Sequence, residues 1–202
     1  PPRRAPACRD GVRVALTATM LLHVPRTAEA VLRVAETFGC AKANDPAAIE
    51  QAFVEAGIPH AFGGAQALAY YGSVRATHDI DVNAFVSLDE ADRVLAVLGR
   101  LGARVDDASL RARIARDGQA RVRWDGTPID VFFAYDALHR SSLERRRRVD
   151  FYGDPIHILS GEDLILYKAT FDREKDWEDI ASLIFASPER FDFDYVRGFL
   201  DR

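Results

Sequence analysis

The sequence predicts an α/β (α+β) chain: a small mixed β-sheet flanked by helices, with a helical C-terminal part. Three observations carry this. Short apolar β-rich runs at 58–62, 80–86, 120–124 and 129–134 alternate with segments of helical periodicity. Asp125-Gly126 between two such runs is a strong hairpin signal, which puts antiparallel pairing in the sheet and argues against a doubly wound parallel one. From residue 159 onward the apolar spacing is helical.

The elements follow in order. Residues 1–25 are rich in Pro, Arg and Ala and read as a peripheral segment. Thr27 to Phe38 has helical spacing. Asp45-Pro46 opens a helix, with Asp45 as N-cap and Pro46 at the first helical position, and Gly57 ends it. Ile58 to Phe62 is a short strand, and Gly63-Gly64 turns the chain into a helix over Ala65 to Tyr71. Ile80 to Val86 is the next strand. Ser87-Leu88-Asp89-Glu90 reads as a capping box for a helix through Leu101. Gly102 to Val105 suggests a further strand, and 108–116 a helix. After the hairpin, Asp136 to Arg148 reads as helical and ends in four arginines. Ile156 to Leu159 is a short strand. Ser160 caps a helix through Thr170, Trp177 to Phe185 forms another, and Asp192 or Asp194 starts a last one. The expected organisation is a peripheral segment over 1–25, a core over 26–158 and a C-terminal helical segment, 159–202, packed on it.

Composition narrows the class. An apolar content of 48% beside 29% charge fits a globular chain and excludes a disordered or low-complexity one. No stretch approaches the roughly 20 apolar residues of a spanning helix, so no membrane partner is expected. Cys8 and Cys40 give no metal-ligand spacing, and a reducing cytoplasm is the expected compartment. The net charge of −4 is uneven: residues 93–148 carry 13 arginines against 7 acids, while 149–202 carry 6 bases against 13 acids. A basic middle on an acidic chain suits a polyanionic partner, or a solvated arginine-rich surface.

The chemistry centres on Asp79-Ile80-Asp81. On a strand, residues i and i+2 share a face, so two carboxylates stand about 7 Å apart at Cα. Asp is a poor strand residue, and two on one face repel unless a cation or ligand lies between them. Asp130, in Ile129-Asp130-Val131, is a candidate third carboxylate. Three such groups suit a hard divalent ion, Mg²⁺ or Mn²⁺, arriving with nucleotide phosphates. Gly63-Gly64 lies sixteen residues before Asp79 and offers backbone N–H groups to phosphate, or simply turns the chain. Arg75 and Thr77 are candidates for phosphate contact, or for local pairing and capping. Lys168, one of three lysines, stands on an apolar helical face; it reaches a phosphate or snorkels to water, and Asp176 is its candidate partner. The Arg145–Arg148 run is an RNA clamp or a solvated helix end.

The stretch HAFGGAQALAYYGSVRATHDIDVNAFV, from His60 to Val86, resembles the nucleotidyltransferase superfamily, with its Gly-Gly turn, helix and Asp-x-Asp strand. The form Gly-Gly-x-Ala followed by Arg-x-Thr-x-Asp-Ile-Asp is similar to the AbiEii branch, which includes MenT-type toxins. Leu159-Ser160-Gly161-Glu162-Asp163-Leu164 to Lys168, then Lys175-Asp176-Trp177-Glu178-Asp179, matches that branch too. The resemblance implies a metal-dependent enzyme that moves NMP from an NTP to the 3′ end of tRNA, as the toxin of a toxin–antitoxin pair. It implies Asp79, Asp81 and Asp130 as metal ligands and catalytic groups. Lys168 would reach into the nucleotide cleft, and Gly63, Gly64 and Ala65 would hold phosphate. Ala65 departs from the pattern, since many members carry a serine there. The alternatives are transfer to a protein side chain or small molecule, and a degenerate binding module.

Overall fold

A computed structural model describes residues 45–72, 77–106, 109–186 and 191–201. The helix expected over Thr27 to Phe38, both cysteines and Arg75 lie outside them. The described residues form helices α1 (Pro46–Glu55), α2 (Gly64–Tyr70), α3 (Ala91–Arg100), α4 (Leu110–Asp117), α5 (Ala137–Arg145), α6 (Gly161–Phe171), α7 (Glu174–Ala186) and α8 (Phe193–Leu200). The strands are β1 (His60–Phe62), β2 (Ile80–Ala84), β3 (Gln119–Trp124), β4 (Thr127–Phe133), β5 (Arg147–Phe151) and β6 (Asp154–Ile158). They make one mixed sheet in the order β3-β4-β2-β1-β6-β5. β2 runs parallel to β4, and β1 parallel to β6. The other three pairings are antiparallel. This is the mixed sheet with flanking helices that the sequence predicts.

Local chemistry explains most boundaries. The Asp45 side chain accepts the Ala47 N–H at 2.9 Å, and Pro46 starts α1 where no amide partner is needed. Ile49 and Phe53 on α1 are fully buried. Ser160 accepts the Asp163 N–H at 3.1 Å, and Asp192 that of Tyr195 at 3.0 Å, capping α6 and α8. In the β3–β4 hairpin Asp125 and Gly126 both have positive φ, 49° and 90°, the backbone of a two-residue primed turn.

Three expectations are corrected. The helix expected over Asp136 to Arg148 stops at Arg145, and Arg147 and Arg148 begin β5. Val149 and Phe151 alternate inward there, and Tyr152-Gly153, with φ of 54° and 92°, closes a second hairpin; a period-two pattern outweighs helix propensity. The capping box at Ser87 does not form. Its hydroxyl caps nothing, Glu90 turns to Arg93 at 2.9 Å, and a 3₁₀ turn over Leu88–Glu90 precedes α3. The strand expected at Gly102–Val105 is a single bridge between Arg104 and Arg123.

By the strand register, Phe62, Phe133, Ile129, Ile156 and Ile158, all among the fully buried core residues, share one face of the sheet, and Asp81, Asp130 and Arg121 lie on the other. α6, α7 and α8 pack together, and the Tyr195 hydroxyl donates to buried Asp163 at 2.6 Å. Burial is the largest influence on the Asp163 carboxyl and moves its pKa up. Near the other margin, Glu50 of α1 receives bonds from two histidines of the sheet, His60 and His157.

Candidate active site

The parallel pairing of β2 and β4 sets Asp81 directly beside Asp130. The β3–β4 hairpin then sets Arg121 on the other side of Asp130. One row across three strands therefore reads carboxylate, carboxylate, guanidinium. Asp79 precedes β2 and joins the row, so that Asp79, Asp81 and Asp130 each offer an oxygen within 4.8 Å of the others. The sequence expectation that the three carboxylates converge is met.

Gly64 explains why glycine precedes this strand. Its φ is +51°, and a Cβ there would lie 1.8 Å from Asp81 Oδ2. The backbone thus touches the carboxylate, an approach that only glycine permits. Gly63 is bound differently: its N–H donates to the Asp81 carbonyl at 2.9 Å, so this amide belongs to the sheet. The first amides of α2, from Gly64 on, have no acceptor inside their own helix. Ala65 is buried and lies outside the cavity lining. The Thr77 hydroxyl bonds to Asp79 Oδ1 and orients that carboxylate.

Arg121 is the residue that sequence reasoning missed. Its Nε donates to Asp130 Oδ1 at 2.6 Å, and its Nη2 to Oδ2. The bond to Asp130, then the charges of Asp130, Asp79 and Asp81, hold the guanidinium pKa above its usual value. The signal was present. Across a two-residue turn at Asp125-Gly126, Arg121 is the residue opposite Asp130.

Lys168 does not snorkel. It is buried at 7% exposure, and its Nζ donates to Asp179 Oδ2 at 2.6 Å and to Asp176 Oδ1 at 3.4 Å. Asp176 also takes Arg173 Nε at 2.6 Å. Burial alone would raise the Asp176 carboxyl, but Arg173 and Lys168 together hold it below the usual carboxylate range. Asp179 and Arg173 were not singled out in the sequence; both stand within one helical turn of Asp176.

The three carboxylates, Arg121, Lys168, Asp176 and Arg173 line one cavity of about 630 Å³. Gly63, Gly64 and Lys175 line it as well. Phe132 and Phe171, with ring centroids 5.8 Å apart, add an aromatic patch, and the Arg173 guanidinium lies 5.0 Å over Phe171. The donor set fits a hard divalent ion. It is all oxygen and all carboxylate. A cleft that holds three clustered carboxylates together with Arg173, Lys168 and Lys175 suits a metal-bound polyphosphate.

The mixed sheet with its flanking helices is an arrangement shared with solved structures. The chain is similar to the antibiotic-resistance factor ANT(2″)-Ia in its solution structure, with a TM-score of 0.52 and 18% identity over 76% of this chain and 88% of that one. The crystal structure of ANT(2″)-Ia in complex with adenylyl-2″-tobramycin gives 0.51 and 17%, over 74% and 88%. The lincosamide antibiotic adenylyltransferase LnuA, lincomycin-bound, is a looser likeness at 0.45 and 13%, over 66% of this chain and 90% of that one. At these identities the likeness establishes the fold. No protein-family model and no curated protein matches the chain. No helix among the described residues is long and apolar enough to cross a membrane.

Proposed function

We propose that the protein is a metal-dependent nucleotidyltransferase that moves NMP from an NTP to a hydroxyl acceptor. The observation that carries this is the Asp79–Asp81–Asp130 triad, held against Gly64 inside a nucleotidyltransferase fold. Asp79 and Asp81 would hold Mg²⁺ or Mn²⁺ with the triphosphate, and Asp130 would complete the set. Bound there, the ion neutralises phosphate charge and polarises the phosphorus centre. The chain's own groups do the rest. The Gly64 and Ala65 amides open α2 beside the triad. Thr77 fixes Asp79. Arg121, on the strand away from Asp81, bonds both Asp130 oxygens and would compete with the ion for them. Lys168 would reach the departing pyrophosphate by exchanging Asp176 and Asp179 for it, and Arg173 and Lys175 add positive charge to the same cleft. Asp130 is also the group placed to draw a proton from the incoming hydroxyl.

For the acceptor, the 3′ end of tRNA is the first reading, with the protein as the toxin of a toxin–antitoxin pair. The motif resemblance and the basic 93–148 segment support it. The arginine run supports it less than its sequence suggests. Arg145 pairs with Glu162 at 3.2 Å and stacks on Tyr195, and Arg146 donates to the Leu143 carbonyl, which leaves Arg147 and Arg148 on β5. A small polyhydroxylated molecule is the second reading, favoured by the likeness to a fold solved with adenylyl-2″-tobramycin. One experiment separates them. Each α-labelled NTP is incubated with the protein and Mg²⁺, in one arm with total RNA and in another with aminoglycosides. Label in tRNA supports the first reading and label in the small molecule the second. Label in neither, with every NTP, refutes transfer to these acceptors.

A further inference from the structure

Away from the cleft, Glu50, His60 and His157 bring a carboxylate oxygen and two imidazole nitrogens within 4.8 Å of one another. None of the three lines the catalytic cavity. His60 Nδ1 lies 2.9 Å from the Ile58 carbonyl, so that nitrogen carries a proton and donates it. His60 Nε2 lies 2.9 Å from Glu50 Oε2. On a neutral ring that nitrogen holds a lone pair, and it faces the lone pairs of a carboxylate. The ring is 2% exposed and packed edge-on against Phe53 and Phe62. At 2.9 Å only a proton fits in the bond as it stands, on the ring or on the carboxyl, and a metal ion could take its place once the side chains part.

Other features favour a metal. His157 Nδ1 reaches the other oxygen, Oε1, at 2.6 Å, so two imidazoles converge on the two oxygens of one carboxylate. Two of the three ligands already carry the outer bonds that metal ligands need. His60 has its N–H on a carbonyl, and Glu50 Oε2 takes the His157 backbone N–H at 2.9 Å. The ligands come from three elements, α1, β1 and β6, and His157 is partly exposed, which leaves a route in and an open coordination position. Metal bonds of about 2.0–2.1 Å place neighbouring ligand atoms roughly 3.3 Å apart, so the side chains need open by less than about 1 Å.

We propose that Glu50, His60 and His157 bind a divalent transition-metal ion of the zinc class, separate from the oxygen-only triad of the cleft. Two imidazoles and a carboxylate suit Zn²⁺ and Co²⁺ and disfavour Mg²⁺, so the two sites sort their ions by ligand chemistry. This inference does not depend on nucleotidyl transfer.

The test uses the full chain, stripped with chelator and titrated with Co²⁺ in millimolar Mg²⁺. The expected result is one equivalent bound with a Kd below roughly 10 μM, with the visible bands of four- or five-coordinate Co²⁺, displaced by Zn²⁺. His157→Ala changes a partly exposed side chain and keeps the fold by circular dichroism; it should weaken binding at least about 100-fold. Glu50→Gln should do the same. Asp81→Asn should leave Co²⁺ binding within about twofold of wild type, whatever it does to transfer. The proposal is overturned if wild type shows no saturable equivalent, or if Asp81→Asn removes the bands while His157→Ala keeps them.

Discussion

Gly64→Ala is the sharpest perturbation of the candidate site. The new Cβ would stand 1.8 Å from Asp81 Oδ2 and 2.6 Å from its carboxyl carbon. Ordinary contact needs well over 3 Å, so the carboxylate or the turn must move by more than about 1 Å, the scale of misplacement that costs about 100-fold in rate. The left-handed φ of +51° adds about 1–2 kcal/mol for a residue with a Cβ. The expected protein is folded, melts somewhat lower, and has lost its triad geometry. Mn²⁺ binding followed by electron paramagnetic resonance reads the site without any knowledge of the acceptor. Affinity should fall at least about tenfold and transfer about 100-fold. Gly63→Ala is the control, since its Cβ would meet only side chains, Asn83 Nδ2 at 3.2 Å and Leu159 Cδ1 at 3.3 Å, and should cost far less. Gly64→Ala with Mn²⁺ affinity and transfer within about threefold of wild type would refute the reasoning.

Further outcomes follow from the same geometry. Asp81→Asn should abolish Mn²⁺ binding and transfer without lowering the melting temperature, because it relieves repulsion among three carboxylates; calorimetry beside the binding assay checks both. Arg121→Met removes a competing cation from Asp130. It should cost about 1 kcal/mol, discounted because the arginine is largely exposed, and should tighten Mn²⁺ binding several-fold; unchanged affinity would show that the guanidinium does not oppose the ion. Lys168→Met removes from a buried place the cation that bonds Asp179 at 2.6 Å and Asp176 at 3.4 Å, so urea titration should show a loss of about 3 kcal/mol. The Asp176 carboxyl is depressed below its ordinary 3.8 in the folded state, so its stabilisation is present above pH 4 and is lost as pH falls through the folded value. Asp176→Asn should flatten the acid limb of a stability–pH curve, and an identical limb in both proteins would contradict the assignment.

Much of the sheet was readable because its signals are local. Asp125-Gly126 fixed a hairpin and, by counting outward, even its register, which contains the Arg121–Asp130 pair. Caps at Asp45, Ser160 and Asp192 act within three residues of themselves. The triad was legible in part: Asp79 and Asp81 stand two residues apart at the entry to one strand, whereas the Asp81–Asp130 contact arises from a parallel pairing between segments 49 residues apart. No local pattern encodes that register. The four arginines failed as a helix end because Val149, Phe151 and the Tyr152-Gly153 turn lie beyond the run and decide its conformation. Glu50, His60 and His157 were silent in the sequence, since each lies on a different element and meets the others only after folding.

Among the described residues the sheet ends at β3, apart from the single Arg104 bridge, and at β5, and both margins carry exposed arginines: Arg121 and Arg123 on one, Arg147 and Arg148 on the other. An unpaired strand invites another chain to extend the ladder, and charged side chains are the usual deterrent. Two copies meeting margin to margin would bring guanidinium against guanidinium. The arginines that looked in sequence like a grip for a polyanion are thereby also a guard against self-association. Exchanging Arg147 and Arg148 for threonine would make this chain more prone to stick to itself, whatever it did to any acceptor.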